Sequence, residues 1–267
     1  MIKIGIQDFP ATRRLAEFAR QELICIGVES TVVFLDDLEG GILRGDIDAA
    51  LQPLGTIPLE RPGEVVIAAL SARENPADLL VMHPETQDNR LDFGLKQGAV
   101  VCCATAWQAA QLRDFRPDLA VSVPGGGVGA LVSGLKAGIC EAIVFAAADM
   151  VAEELDLSGL LLVELNPREF LPTPGQGVVA WLAHRDNLPV RRLLKQVHHP
   201  DVSACTNVER RVLQLLRGAL LGAFVERDAA GNFHAFVAGE TGGSIRRARL
   251  SQSTNFELAE RVVAGLG

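Results

Sequence analysis

Tyrosine is absent from this 267-residue chain, and all aromatic residues together make up only 5% of it. Its cores must therefore be aliphatic. An excess of basic charge is also missing. There are 25 Lys and Arg against 33 Asp and Glu, a formal net charge of -8. That excludes the basic face a nucleic-acid partner requires, and it counts against a large cationic groove for a highly anionic substrate. No apolar run is long enough to span a bilayer, so no membrane partner is expected. The start, Met1-Ile2-Lys3-Ile4-Gly5, enters a strand pattern without the charged n-region, apolar h-region or cleavage site of a leader. A cytoplasmic protein is expected. Metal-type spacing is lacking too. The cysteines are Cys25, Cys102, Cys103, Cys140 and Cys205, an odd set that reads as reduced thiols and buried small apolar residues rather than a metal or disulfide framework.

What is present describes a globular chain, with 48% hydrophobic and 22% charged residues. The most distinctive stretch is Leu171-Pro172-Thr173-Pro174-Gly175-Gln176-Gly177, followed by Val178-Val179-Ala180-Trp181-Leu182. Two prolines forbid a helix, and the two glycines permit tight backbone geometry. The apolar run after them predicts a strand buried on both faces of a helix-covered sheet.

The pattern before that stretch alternates strands and helices. Strands are predicted at 2–6, 31–35, 47–51 and 65–70, with a helix opening after Pro10 and running to Ile26 against the Gly27 cap, and a short helix at 38–43. A second unit follows Asn75-Pro76. It has strands at 78–82, 100–103, 119–123, 142–145 and 160–165, and helices at 105–115, 128–136 and 147–155. Close β-α-β-α-β order points to parallel sheets covered by helices. A short helix at 190–197 and a longer one capped by Asp201 come next. Alternating strands at 223–227, 233–237 and 244–250 with a helix at 256–266 predict a small α+β module.

The spacing alone says little about chemistry. Gly125, Gly126 and Gly127 lie between a strand and a helix, where backbone N–H groups can hold an anion, but a plain tight turn is equally consistent. The lysine of a P-loop and the dinucleotide spacing are both absent. His198-His199 reads as a loop pair, and Asp36-Asp37 and Glu153-Glu154 as solvated helix-end charges.

The order of motifs resembles the hydroxymethylbilane synthase, or porphobilinogen deaminase, family along almost the whole chain. Leu171 to Gly177 is similar to the family's LPA-x-GQG. His198-His199 and Thr206-Asn207-Val208-Glu209-Arg210 are similar to its NH and T-A-E-R-A marks. Gly45 to Ala50 resembles the strand before its catalytic loop. Arg73-Glu74-Asn75-Pro76-Ala77-Asp78 resembles RED-P-x-D, and Gln111-Leu112 with Arg116-Pro117-Asp118-Leu119 resembles QL-x(3)-RPDL. The resemblance implies an α/β fold of two periplasmic-binding-protein-like (type II) domains with a central cleft, plus a small C-terminal α+β domain. The expected domains are 1–77 with 178–198, 78–177 and 199–267.

The departures fall on the chemistry. In the family's HS-x-KD-x-P segment this chain reads Gln52-Pro53-Leu54-Gly55-Thr56-Ile57-Pro58, so Thr56 stands in the place of the catalytic aspartate. A threonine cannot pass a carboxyl proton or stabilise a developing cation. The carboxylate-binding arginines of GTR, SSLRR and RGNV-x-TR are missing. Their places hold Gln7, then Trp107 and Gln108 after Thr105, and the glycine loop at 125–127 with Leu131. The loop that anchors the family's dipyrromethane through a cysteine is here Gly218-Ala219-Leu220-Leu221-Gly222, with no cysteine. The family's lid after the second strand is also deleted, since Phe34 to Asp37 runs straight into Leu38.

The reading is a family relative without the usual deaminase activity and without covalent dipyrromethane. No catalytic residue is assigned. A neutral cleft lined by Gln7, Gln52, Thr56, Thr105, Trp107, Gln108, Gly125, Gly126 and Gly127 is expected to take a small-molecule ligand or a protein partner. Those residues are otherwise filler in a decayed site. The alternatives are an active enzyme that polymerises porphobilinogen with displaced residues, and a non-catalytic interaction module, for which an apolar patch at Leu220-Leu221 would speak.

Overall fold

The computed structural model describes residues 1–7, 12–152 and 155–267. The chain divides into two compact units, 1–74 with 177–204 and 75–176 with 205–267.

The first unit is built on β1 (Ile2–Ile6), β2 (Ser30–Phe34), β3 (Ala49–Pro53), β4 (Val65–Leu70) and β10 (Val179–His184), in the order β2-β1-β3-β10-β4. β1 is parallel to both β2 and β3, while β10 runs antiparallel between β3 and β4. The predicted two-sided burial of this run is met. Ala180, Trp181, Leu182 and Ala183 are fully buried, with Trp181 and Ala183 facing one aliphatic cluster and Ala180 and Leu182 the other. The helices α1 (Thr12–Cys25), α2 (Leu38–Arg44) and α6 (Leu188–Leu194) supply the covering layers. The expected start of α1 near Pro10 lies outside the described residues. Gly27 and Gly45 take left-handed backbone after α1 and α2, as stop signals should.

The second unit repeats the plan. Its sheet joins β5 (Asp78–Met82), β6 (Val100–Cys103), β7 (Ala120–Ser122), β8 (Ala142–Ala146) and β9 (Leu161–Glu164) in the order β7-β6-β8-β5-β9. Three parallel strands again carry an antiparallel one, β5, between β8 and β9. Each sheet therefore has the same pattern of strand directions, with the fourth strand in the sheet antiparallel to the rest, the type II binding-protein arrangement. The helices are α3 (Ala106–Phe115), α4 (Gly127–Lys136) and α5 (Ala147–Ala152), and the rest of the helix expected to reach 155 falls partly outside the described residues.

The long helix α7 (Pro200–Leu215) begins one residue before its expected cap. Pro200, which has no N–H to leave unbonded, opens the helix, and Asp201 lies in its first turn. The antiparallel sheet β11 (Leu221–Arg227), β12 (Phe233–Thr241) and β13 (Ser244–Gln252) follows, then α8 (Leu258–Ala264). This sheet belongs to the second unit, where Phe224 and Ala238 pack with Trp107 and Leu171.

Candidate functional site

In an open parallel sheet the functional ends are the C-terminal ends of the strands, where side chains and helix starts converge. In the first unit those ends carry Gln7, Gln52 and Thr56. Gln7 is exposed after β1 and donates through Nε2 to the Asp36 carbonyl at 3.2 Å. Gln52 is half-buried on β3, opposite Ala180. Thr56 is exposed in the single helical turn after β3, and its hydroxyl donates to the Pro53 carbonyl at 2.8 Å. Its proton is thus committed to the local turn. A hydroxyl so placed offers neither an acid nor a base near neutral pH.

The nearby charges are structural. Asp37 caps α2 by accepting the Gly40 N–H at 2.8 Å, and that bond, with Arg44 beside it, holds its carboxyl below the usual range. His198 accepts the Leu70 N–H on Nδ1 at 3.1 Å, while the His199 N–H donates to the Leu70 carbonyl. Burial, then the neighbouring His199 and Lys195, lower the His198 pKa. The pair satisfies the end of β4, as the loop reading expects.

The second unit treats its share of the expected residues differently. Thr105 caps α3 reciprocally with Gln108, whose backbone N–H reaches Thr105 Oγ1 at 3.2 Å and whose Oε1 accepts the Thr105 N–H at 3.0 Å. Gln108 then donates Nε2 to Asp78 Oδ1 at 2.8 Å. Trp107 donates its indole N–H to the Leu171 carbonyl at 2.8 Å. The structure turns both side chains inward, at 2% and 3% exposed. Gly125, Gly126 and Gly127 are all exposed and left-handed, with φ of 79°, 87° and 78°, leading into α4. Only glycine takes three such residues in succession without strain.

Beneath these residues is a buried polar network that sequence reasoning did not single out as a site. The Gln111 amide clamps Leu171 both ways, N–H to Oε1 at 2.8 Å and Nε2 to the carbonyl at 3.0 Å. Gln176 Nε2 bonds the Pro76 and Ala77 carbonyls and Asp78 Oδ1, at 2.9, 3.2 and 3.1 Å. Glu209, fully buried on α7, accepts the N–H of Gly175 and of Val225, each at 2.8 Å. Asp78 Oδ2 is buried with no hydrogen-bond partner among the described residues. Burial pushes the Asp78 carboxyl up to about 7 against the opposing bonds from Gln108 and Gln176, with Asp149 adding to the rise. The available signal was in the motifs themselves. Asp78, Gln111, Gln176 and Glu209 each sit in a stretch quoted for the resemblance.

The dipyrromethane of the resembled family does not fit the residues present. Gly218 to Gly222 contains no sulfur, and Leu221 within it is buried at the start of β11. A side chain at Gly222 would meet Trp107 and, at 2.8 Å, both Cβ and the carbonyl of Leu171. The nearest cysteine, Cys205, is buried on α7. Leu220 is partly exposed and Leu221 is not, so the two do not form an exposed apolar patch. Among the described residues no group of three or more His, Cys, Asp or Glu is placed to hold a metal, and no helix is long and apolar enough to cross a membrane.

Comparison with known proteins agrees with the motif order. The family model described as porphobilinogen deaminase, dipyromethane cofactor binding domain, matches residues 19–192. Porphobilinogen deaminase of Xanthomonas euvesicatoria pv. vesicatoria is 30% identical over 263 residues, covering 96% of this chain and 84% of the relative. That of Xylella fastidiosa (strain M23) is 29% identical over 260 residues, covering 96% and 83%. Among solved structures, a periplasmic substrate-binding protein of an ABC transporter from Coxiella burnetii aligns with a TM-score of 0.46 at 16% identity, over 76% of this chain and 94% of that one.

Proposed function

The chain belongs to the porphobilinogen deaminase family, and from that premise we propose that it keeps the family scaffold without the family's dipyrromethane-primed deamination. The carrying observation is the packing of Gly222 against Leu171 and Trp107. The segment that would anchor the cofactor has no thiol and is closed against a tryptophan that stands where the resemblance places an arginine. Thr56, with its hydroxyl bonded to Pro53, supports the same reading, because covalent chain growth needs both an anchor and an acid. In this reading the strand ends around Gln7, Gln52 and Thr56, and separately around Thr105 and Gly125 to Gly127, serve to bind a small, weakly charged ligand or a protein partner.

The test is direct. The purified protein is weighed intact, treated with Ehrlich reagent and assayed for porphobilinogen consumption. The expected result is the mass of the bare chain, no colour and no turnover. Porphobilinogen turnover that Thr56→Ala abolishes would overturn the proposal.

A further inference from the structure

A cavity of about 680 Å³ lies in the second unit. It is bounded by β12 and β13, by the end of α3 and by the turn after β9. Four of its lining residues are charged, and they fall into settled and unsettled groups. Arg247 is settled: it pairs with Asp114 at 2.6 Å and lies over the Phe115 ring at 4.2 Å. Arg168 is settled by Glu226 at 2.7 Å. Arg249 and Glu169 are not. Both are exposed, both line the cavity, and neither makes a side-chain hydrogen bond or ion pair among the described residues, with each other or with anything else.

The backbone fixes where these two charges stand. Arg249 is directly opposite Phe236 in the antiparallel ladder, so the guanidinium and the ring share one face of the sheet. Phe236 stacks on Phe224 on its other side, with centroids 6.4 Å apart. Glu169 sits in a tight turn, where its N–H bonds the Asn166 carbonyl at 3.0 Å. Phe115 is held edge-on by Phe93, whose non-glycine backbone is left-handed at φ 62°.

We propose that this cavity is a binding site for a small zwitterion with an aromatic or apolar body, its carboxylate on Arg249, its ammonium on Glu169 and its body against Phe236. One cation and one anion on the same cavity, neither of them paired among the described residues, leave one place for each sign of ligand charge. The planar guanidinium fork suits a carboxylate, and the Glu169 carboxylate suits an ammonium. The volume lies within the range of small-molecule sites. This inference is independent of the proposed loss of deamination.

The experiment is titration calorimetry of the full chain with 4-(aminomethyl)benzoate and L-phenylalanine, and with benzoate and benzylamine as singly charged controls. At least one zwitterion is expected to bind saturably, about tenfold or more tighter than either control. Arg249→Gln and Glu169→Gln change exposed residues with no partners, so circular dichroism should be unaltered. Each is expected to reduce zwitterion binding about tenfold, and Arg249→Gln should abolish any preference for benzoate over benzylamine. No saturable binding by either zwitterion overturns the proposal. So do equal binding of the singly charged controls and binding that both substitutions leave unchanged.

Discussion

Gln108 reaches Asp78 Oδ1 with its amide nitrogen at 2.8 Å, while Asp78 Oδ2, equally buried, meets no donor. A neutral amide thus stands against a carboxyl where the resemblance places an arginine. It supplies a hydrogen bond but no charge, and burial then dominates. With a folded pKa near 7 and an ordinary value near 3.8, the folded state holds more protons than the unfolded one between those limits. Stability contributed by neutral Asp78 is therefore whole below about pH 4 and is lost as pH rises through about 7. Asp78→Asn should be more stable than the parent by about 1–3 kcal/mol at pH 8, with the gain vanishing near pH 4. Urea midpoints of the two proteins across that range check this. An equal loss from Asp78→Asn at both ends would refute it.

The two tryptophans should respond differently to removal of their N–H. Trp107 donates to the Leu171 carbonyl, whereas the buried Trp181 indole nitrogen has no partner among the described residues. Trp107→Phe loses a buried hydrogen bond, and Trp181→Phe discards an unsatisfied donor. With similar loss of volume, Trp107→Phe is expected to cost about 1–2 kcal/mol more, read from denaturant unfolding at constant slope.

Gly222→Ala places a methyl group against Leu171 Cβ and its carbonyl at 2.8 Å, and against Trp107. Part of that obstacle is backbone and cannot swing aside. A loss of about 1–3 kcal/mol is expected. A neutral result would mean that the β11 start is not packed on Leu171 and would remove the chief support for the closed cofactor segment.

Glu209 ties two distant pieces of backbone together, Gly175 and Val225. In Glu209→Gln one of those N–H groups faces an NH₂ group in place of an acceptor. A cost of about 2–3 kcal/mol is expected, with faster hydrogen exchange at Gly175 and Val225. Unchanged exchange at both amides would count against the bridge.

Thiol titration offers a check on both packing and cofactor. Cys25 is exposed, while Cys102, Cys103, Cys140 and Cys205 are buried, and burial pushes Cys103 and Cys140 up to about 12. One thiol should react promptly in the native protein and all five in denaturant. Four in denaturant would indicate a capped sulfur and contradict the proposed lack of a thioether-bound group.

Much of the architecture was legible because it rests on local rules. Pro172, Pro174, Gly175 and Gly177 mark a non-helical crossover in any context, and the apolar run that follows suits only a strand covered on both faces. The shift of the α7 start from Asp201 to Pro200 is a boundary effect of one residue. The candidate site was legible in part. Thr56, Gln7 and the three glycines lie at strand ends, where position along the strand is enough to place them. Trp107 and Gln108 also follow a strand end, but nothing local says whether a side chain in the first turn of a helix faces outward or back into the fold. The partners that turn them inward, Leu171 and Asp78, lie 64 and 30 residues away.

By itself, the sequence determined the alternation of strands and helices, the lack of a cysteine between Gly218 and Gly222 and the presence of a threonine at position 56, because these depend on residue identity and short-range periodicity. Tertiary structure alone decided that Gln108 and Gln176 converge on one buried carboxyl, that Glu209 bridges Gly175 and Val225, and that Arg249 and Glu169 share a cavity while remaining unpaired. Each of these depends on which distant backbone is brought alongside. That is settled by the burial of apolar faces over the whole chain, and by the need to find partners for the polar groups that burial removes from water.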